Sequence, residues 1–177
     1  MIIRDAHRTD GQAIAAIYAH HVLHGTGTFD TVPRQVAETE AKIADCAARN
    51  WPFLVAENAF GGENGGHILG YAYATQLRDR AAYAFACENS IYVDPAHLGQ
   101  GVGKALLGAL LLAAEVAGFR QMIAVVGGGE PASIALHVSL GFRHIGHLQS
   151  VGYKFGRWLD TDYMQIALGS GDSDAPG

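Results

Sequence analysis

The stretch that most constrains the fold of this chain runs from residue 88 to residue 106, ENSIYVDPAHLGQGVGKAL. A strand-like run at residues 90–93 is stopped by Asp94 and Pro95, and a glycine-rich turn then opens an apolar helical stretch. The N–H groups at a helix start have no intrahelical partner, and glycines let an anion approach them closely. This order of strand, glycine turn and helix predicts a site for a phosphate-bearing ligand.

The spacing of the glycines excludes two common phosphate sites. A P-loop needs Gly, four residues, Gly-Lys and then Ser or Thr, but counting back from Lys104 puts Leu98 at the first glycine, and Ala105 follows the lysine. The dinucleotide fingerprint G-x-G-x-x-G fails as well, because its last glycine falls on Lys104 or on Leu106 in the two possible registers. The ligand is therefore expected to be neither a nucleoside triphosphate nor a nicotinamide dinucleotide.

Composition narrows the possible partners and the compartment. The chain has 177 residues, 49% of them hydrophobic, and a net charge of −5 with only 12 scattered Lys and Arg residues, so a nucleic-acid partner is not expected. No signal-peptide pattern follows Met1, and the apolar run at residues 105–114 is far shorter than the ~20 residues of a membrane span. Cys46 and Cys87 are too few for a disulfide framework. We therefore expect a soluble, cytoplasmic protein with no membrane partner.

Hydrophobic periodicity and turn residues predict an α/β chain with one domain at residues 1–168 and a flexible tail at residues 169–177. Strands are expected at residues 2–4, 52–56, 68–75, 83–93, 120–127, 142–151 and 163–168, with a hairpin turn at residues 61–66. Helices are expected between Asp10 and Gly25, at residues 33–49, at residues 101–117, and from Pro131 to Gly141. Beyond Lys104 the third helix carries only one charge, so it is expected to be buried nearly all round, in part by a second subunit.

At the glycine turn the sequence resembles the GNAT superfamily of acyl-CoA-dependent N-acetyltransferases, whose loop is R/Q-x-x-G-x-G/A. Residues 98–103, LGQGVG, match this loop except that Leu98 replaces Arg or Gln. Within the superfamily the chain resembles most the phosphinothricin and methionine sulfoximine acetyltransferases, over about residues 2–167. The resemblance also rests on the segments GTGTF (25–29), GYA (70–72), ENSIYV (88–93), ASIALH (132–137) with LGF (140–142), and VGYKFGRW (151–158).

The resemblance implies a single-domain GNAT-like fold, a mixed central sheet of about six to seven strands flanked by about four helices. It implies acetyl-CoA as co-substrate, and as acceptor the α-amine of a small amino acid such as phosphinothricin, methionine sulfoximine or methionine sulfone. A homodimer is a further expectation from the family. Two alternatives stay open: a GNAT enzyme for another amino acid, a polyamine or a peptide amine, and a non-catalytic acyl-CoA-binding regulatory module.

Two side chains are the expected catalytic residues. An α-amino group titrates near ~8 and is mostly protonated at pH 7, so acetyl transfer needs a base, either direct or acting through a water. Glu88 is the candidate, because it begins the strand that leads to the glycine turn. His137 takes the place where many members of the family have a tyrosine, and is expected either to protonate the departing thiolate or to contact substrate.

The resemblance also implies the binding residues. The expected coenzyme contacts come from the strand before the turn, from the turn itself and from the start of the last helix: Ile91, Tyr92, Val93, Gly99, Gln100, Gly101, Val102, Gly103, Lys104, Glu130 and Ser133. Leu98 and Glu130 depart from the family pattern, since Glu130 stands where an asparagine is usual and a carboxylate cannot donate the amide's hydrogen bond. Both suggest weaker or altered coenzyme binding.

The acceptor pocket is expected to be lined by Phe29, Arg78, Arg80 and Tyr83, with the two guanidinium groups binding the acidic groups of the amino acid. His20 and His24 have the i,i+4 spacing of a two-histidine metal site. No carboxylate lies between them as in H-E-x-x-H, so no metal is expected.

Overall fold

The computed structural model describes residues 1–58 and 66–175. Within these residues seven strands form one sheet in the order β1-β2-β3-β4-β5-β7-β6. The strands are β1 Ile2–Asp5, β2 Phe53–Glu57, β3 Ile68–Gln76, β4 Ala86–Val93, β5 Gln121–Gly127, β6 Arg143–Lys154 and β7 Arg157–Ala167. The helices are α1 Gly11–His24, α2 Val36–Ala48, α3 Val102–Val116 and α4 Pro131–Ser139. The expected α/β class, with a mixed sheet and four helices, is confirmed.

The direction of two neighbouring strands decides where the sheet opens. Strands β4 and β5 run parallel, whereas every other neighbouring pair is antiparallel. Their pairing covers only residues 86–89 of β4 and 121–124 of β5. Residues 90–93 continue to pair with β3, and residues 125–127 with β7. The two strands therefore diverge after Asn89 and leave a gap in the sheet.

Each face of the sheet supports a separate core. Side chains alternate between faces along a strand, so Leu54 and Ala56 of β2 pack with α3, whereas Phe53 and Val55 pack with α1 and α2. Helix α3 contributes Leu106, Leu107 and Leu110, all fully buried, and the opposite core holds Tyr71 and Tyr73 of β3 in a ring stack with Phe53. Burial on both faces fixes the strand register, because a slip of one residue would exchange the two sets.

Several predicted boundaries are wrong. Helix α2 starts at Val36 rather than at Pro33, because Gln35 is extended and its N–H donates to the Glu38 carboxylate. Strand β4 starts at Ala86, since residues 81–83 form a 3-10 turn. Strands β6 and β7 are longer than predicted and meet at a tight turn, in which Phe155 and Gly156 have φ values of 52° and 72°.

Within the single chain, helix α3 is not buried all round, and its burial in part by a second subunit stays a prediction. Leu112 and Val116 lie on its outer side with 68% and 88% of their surface exposed. A charge-poor sequence cannot distinguish a helix buried on every side from one with a narrow apolar face in solvent.

The last described residues are held by a turn and an ion pair. Residues 168–171 form a turn closed by the Gly171 N–H and the Leu168 carbonyl, and Asp174 pairs with Arg120 at 3.1 Å. The domain limits and the flexibility expected for residues 169–177 stay predictions, and most of the hairpin turn expected at residues 61–66 lies outside the described residues. No helix in the described part of the chain is long and apolar enough to cross a bilayer.

Candidate active site

A cavity of about 990 Å³ opens where β4 and β5 diverge. Its floor is formed by β4, and its walls come from residues 24–30, the end of β3, the glycine turn and the start of α4. Both expected catalytic residues and Phe29 line it, as do all of the expected coenzyme contacts except Gln100. Arg78, Arg80 and Tyr83 do not line it.

The glycine turn leads into helix α3, as its sequence predicts. Gly99 and Gly101 have φ values of 72° and 82°, in the left-handed region that glycine adopts without strain. Gly101 is the N-cap of α3, and its carbonyl accepts the N–H of Ala105. The N–H groups of residues 101–104 are those that a helix leaves without an intrahelical partner. The positive end of α3 thus faces the cavity.

The start of α3 lies close to β4 of the sheet because residue 103 is a glycine. A Cβ atom on Gly103 would lie 3.3 Å from the Leu136 side chain and 3.6 Å from that of Val93. The Val93 carbonyl in turn accepts a hydrogen bond from His21 Nε2 at 2.8 Å. On the edge of β4 that β5 leaves, the main chain of residues 90–93 borders the cavity. A ligand lying there meets main chain rather than side chains.

Glu88 lies at the inner end of this gap. It pairs in register with Thr75 of β3 and Ile123 of β5, and its side chain is half-buried in the cavity wall. Burial raises the pKa of Glu88 above its ordinary value, and the charge of Arg78 opposes this rise. A carboxylate with a raised pKa holds a proton more readily, as a general base requires.

His137 is buried on α4 with its ring edge-on to Phe142. Its Nδ1 lies 2.7 Å from the Ser133 carbonyl, which only accepts, so this nitrogen carries the proton. Burial lowers the pKa of His137, which keeps the ring neutral and makes Nε2 an acceptor. Nε2 lies 3.3 Å from Asn89 Oδ1, while Asn89 Nδ2 is buried without a partner. Exchanging the two amide atoms of Asn89 lets its Nδ2 donate to His137 Nε2.

Residues 25–30 form the outer wall, and three contacts from distant segments hold them. Lys154 of β6 is buried, and its Nζ donates to the carbonyls of Gly25 and Thr28 at 2.9 and 2.8 Å. Thr26 Oγ1 donates to the Glu130 carboxylate at the start of α4. Glu130 is therefore engaged in holding the wall. Sequence reasoning missed Lys154, although it lies inside the segment VGYKFGRW.

The Phe29 ring is wedged between two glycines of the sheet. A Cβ atom on Gly127 of β5 would lie 2.9 Å from the Phe29 ring, and one on Gly152 of β6 would overlap it more closely still. These two glycines leave the room that the ring occupies. The position of Phe29 is thus decided by residues about 100 positions away in the chain.

Gly152→Ala is expected to displace the Phe29 ring and distort the outer wall, because the added Cβ atom would lie where the ring now packs. Overpacking of this kind costs about 1–3 kcal/mol of unfolding free energy. Denaturant unfolding and the KM of the acceptor amine measure the two effects. Gly108→Ala is the matched control, since nothing lies within 4 Å of a Cβ there. An unchanged denaturant midpoint and an unchanged KM in Gly152→Ala would show that the packing of Phe29 against Gly152 affects neither stability nor acceptor binding.

A polar network beside Phe29 was also missed from the sequence. Tyr18 of α1 donates to the Asp30 carboxylate, and Arg34 lies over the Tyr18 ring at 4.5 Å and 3.5 Å from Asp30. Arg34 and Lys42 both line the cavity. The i,i+4 spacing of Asp30 and Arg34 directly after the segment GTGTF was the signal that could have revealed them.

The segment after β3 places the arginines that were expected to bind the acceptor. Gln76 and Leu77 border the cavity, and Arg78 and Arg80 follow immediately as exposed residues at its edge. Gln76 donates from its side chain to the carbonyls of both arginines, at 2.7 and 3.0 Å. Tyr83 ends the 3-10 turn beside them. Their contacts with substrate stay a prediction.

Residues 28–142, which carry this cavity, match the sequence model described as the Acetyltransferase (GNAT) family. The chain belongs to the GNAT acetyltransferase family. Among its relatives is a phosphinothricin N-acetyltransferase from Alcaligenes faecalis, 47% identical over 99% of this chain and 85% of that protein. An L-methionine sulfoximine/L-methionine sulfone acetyltransferase from Salmonella typhimurium is 39% identical over 95% of each.

A solved GNAT structure shows the same architecture with the coenzyme present. The crystal structure of a GNAT superfamily phosphinothricin acetyltransferase from Sinorhizobium meliloti in complex with acetyl-CoA superposes with a TM-score of 0.93. It is 43% identical in sequence, and the match covers 99% of this chain and 92% of that one. This GNAT chain is therefore an acetyl-CoA-dependent N-acyltransferase.

Proposed function

We propose that this enzyme transfers the acetyl group of acetyl-CoA to the α-amine of a small acidic amino acid of the phosphinothricin, methionine sulfoximine or methionine sulfone type. The observation that carries the proposal is the half-buried Glu88 in the gap between β4 and β5, in one cavity with the open start of α3. The names of the relatives at 47% and 39% identity support the choice of acceptor.

The coenzyme is proposed to bind along the gap in the sheet. Its diphosphate accepts hydrogen bonds from the N–H groups of residues 101–104, where the positive end of the α3 dipole favours an anion. Its pantetheine arm lies beside the main chain of residues 90–93, which β5 leaves without a partner strand. The exposed side chain of Leu98 does not impede this, because the donors are main-chain groups.

Glu88 is proposed to act as the general base. Glu88 takes a proton from the acceptor's ammonium group, directly or through a water, and the neutral amine nitrogen then attacks the thioester carbon. A C–N bond forms, and the second proton of that nitrogen passes to water. The tetrahedral intermediate then collapses as the C–S bond breaks and the thiolate leaves. A main-chain N–H in residues 90–93 stabilises the oxyanion, as such donors do in acyl transfer.

His137 is the less suitable source of the thiolate's proton. With the proton on Nδ1 held by Ser133 and burial keeping the ring neutral, Nε2 has no hydrogen to donate. Of the two roles that the sequence left open for His137, proton donation and contact with substrate, contact with substrate agrees better with this state. The thiolate then takes its proton from Glu88 or from water in the open cavity.

Four cationic side chains in or beside the cavity are proposed to bind an acidic acceptor. Arg34 and Lys42 line the cavity itself, and Arg78 and Arg80 lie at its edge. Arg78 is near enough for its charge to lower the pKa of Glu88. A substrate with a carboxylate and further side-chain oxygens matches these guanidinium groups, whereas a polyamine would be repelled.

The rate is expected to fall in acid as Glu88 takes up a proton. Because burial raises the pKa of Glu88, the acidic limb of kcat/KM lies above the ordinary range of a glutamate. Arg78→Gln removes the charge that lowers this pKa, so the limb is expected to move to higher pH. Arg80→Gln is the control, and leaves the limb in place even where it raises KM. An acidic limb of kcat/KM at unchanged pH in Arg78→Gln would contradict the effect of Arg78 on the pKa of Glu88.

The experiment that tests the proposed function measures thiol release from acetyl-CoA with a panel of amines. Phosphinothricin, methionine sulfoximine and methionine sulfone are compared with methionine, which lacks the added oxygens, and with spermidine and a short peptide. Turnover of the first three well above methionine supports the proposal. Turnover greatest on spermidine or the peptide shows that the acceptor is wrong, and binding of acetyl-CoA with no turnover on any amine identifies a non-catalytic module.

We propose further that the enzyme is a homodimer joined through the hairpin of β6 and β7. Strand β6 is an edge of the sheet, and this hairpin exposes a set of large apolar side chains: Ile145, Leu148, Val151, Tyr153, Phe155 and Trp158. Tyr153 and Trp158 face each other across the strands, with ring centroids 5.2 Å apart. Exposed apolar patches of this kind mark association surfaces, and a twofold axis lets one patch meet its copy.

Trp158→Glu is expected to convert the dimer to a monomer, because a charge would be buried at the centre of the patch. Light scattering after size exclusion measures the molar mass directly. Leu112→Glu on the outer side of α3 is the matched control and leaves the dimer intact. Dissociation in Leu112→Glu alone would move the interface to α3.

We propose a cytoplasmic location because both thiols are unpaired. Cys46 and Cys87 are both free and buried, and unpaired thiols suit a reducing compartment.

A further inference from the structure

Three metal-ligating side chains meet at the end of the sheet just before the glycine turn. His67 precedes β3, Asp94 follows β4, and His97 ends the 3-10 turn Pro95–His97. Their ligand atoms all lie within 4.8 Å of one another. We propose that these three residues form a binding site for a divalent transition-metal ion, with zinc the ion that they fit best.

The main chain fixes the three residues relative to one another. The Asp94 N–H donates to the Leu69 carbonyl at 2.9 Å, which ties the end of β4 to the start of β3 beside His67. The His97 N–H donates to the Asp94 carbonyl at 2.8 Å. These two bonds hold Asp94 and His97 in place relative to the start of β3.

The two distances from Asp94 to the histidine nitrogens agree with tetrahedral zinc. Asp94 Oδ2 lies 3.1 Å from His67 Nε2 and 3.6 Å from His97 Nδ1. Ligands about 2.0–2.1 Å from a tetrahedral zinc ion are separated by about 3.3–3.4 Å, midway between these values. Two imidazoles and one carboxylate are a donor set that zinc accepts, with the fourth position left for water.

One hydrogen bond at the site would give way to a bound ion, since His67 Nε2 donates to Asp94 Oδ2 at 3.1 Å and a metal ion takes the place of that proton. Asp94 Oδ1 accepts the Ala96 N–H at 2.9 Å, which orients the carboxylate and leaves Oδ2 facing both rings. His97 Nδ1 is buried and has no hydrogen-bond partner among the described residues, which is a costly state for an imidazole nitrogen. The His67 side chain is 63% exposed, so an ion can reach the site from solvent.

A second histidine cluster in the described residues differs in the hydrogen bonds of its ring nitrogens. His147 uses both ring nitrogens, Nδ1 at 2.9 Å from Asp162 and Nε2 at 3.2 Å from Asp160, and His144 donates to Asp162 at 2.7 Å. The bond to Asp162 raises the pKa of His147, as for an imidazolium in an ion pair. A metal ion there would have to displace the protons that both ring nitrogens of His147 share with carboxylates, whereas at the proposed site only the proton between His67 and Asp94 is displaced and His97 Nδ1 has no hydrogen bond to lose.

An ion bound at this position would act on the coenzyme loop at residues 98–104. It would join the first residues of β3 to the turn that leads into residues 98–104. Two neutral imidazoles, one carboxylate and a divalent cation carry a net positive charge beside the proposed diphosphate site. This goes beyond the acetyl transfer proposed above and differs from the expectation of no metal.

The test uses the full chain freed of metal with a chelator and titrated with Zn²⁺ in a calorimeter, with Co²⁺ absorption as a probe of tetrahedral geometry. The wild type is expected to bind one equivalent. His67→Ala and Asp94→Asn are expected to weaken binding roughly 100-fold or more, since loss of even an outer-shell partner costs about 10–100-fold. Asp94→Asn keeps the acceptor for the Ala96 N–H, so the turn is retained.

His147→Gln is the matched control, because it removes one histidine from the rival cluster, and it is expected to leave the affinity unchanged. Circular dichroism of every variant establishes that each is folded. Wild-type affinity no greater than that of His67→Ala would overturn the site. Loss of binding in His147→Gln would also overturn it and would place the ion between β6 and β7.

Discussion

Glu88→Gln is expected to lower kcat by roughly 10²–10⁴-fold, the usual contribution of a positioned general base. The amide keeps the size of the side chain but cannot accept the proton of the attacking amine. The affinity for acetyl-CoA is expected to stay within about twofold of wild type, because the proposed coenzyme donors are main-chain groups of α3 and β4. Stopped-flow thiol release and calorimetric titration with acetyl-CoA separate the two quantities.

The same variant is expected to be no less stable than the wild type at neutral pH. Burial raises the pKa of Glu88 in the folded state. Between the unfolded and folded values the native state binds more protons, so stability falls as the pH rises through that window. The glutamine removes this loss. Glu115→Gln on the far end of α3 serves as the control for charge alone. A Glu88→Gln enzyme with wild-type kcat would exclude the carboxylate as the base.

Gly101→Val is expected to abolish tight acetyl-CoA binding. Gly101 has a φ of 82° at the N-cap of α3, a conformation that costs a β-branched residue about 1–3 kcal/mol. The turn therefore relaxes and its N–H groups no longer converge on one anion. The dissociation constant for acetyl-CoA is expected to rise by roughly 10–100-fold, since about 1.4 kcal/mol corresponds to tenfold.

The cause of this effect is backbone conformation and not crowding, because nothing lies within 4 Å of a Cβ built on Gly101. Gly108→Ala in the middle of α3 has equally open surroundings and ordinary helical backbone, so it is the matched control. It is expected to bind acetyl-CoA normally and to gain up to about 1 kcal/mol of stability. Normal coenzyme affinity in Gly101→Val would show that the turn does not hold the diphosphate.

Much of the fold followed from local signals. The strand of residues 90–93, the glycine turn and the start of α3 depend on side chains and backbone freedom within a few residues, so periodicity and glycine spacing predicted them. The start of α4 at Pro131 followed for the same reason, since proline suits a first helical position. Boundaries failed at the 3-10 turn of residues 81–83 and in the hairpin of β6 and β7.

The sequence by itself determined the family, the α/β class, the glycine turn and the candidate base Glu88. These depend on motifs and on interactions between near neighbours in the chain. The tertiary structure alone decided that β4 and β5 part after Asn89, that Lys154 and two distant glycines hold the wall around Phe29, and that His67 meets Asp94 and His97. Such contacts join residues tens of positions apart, and only the packing of the sheet brings them within bonding distance.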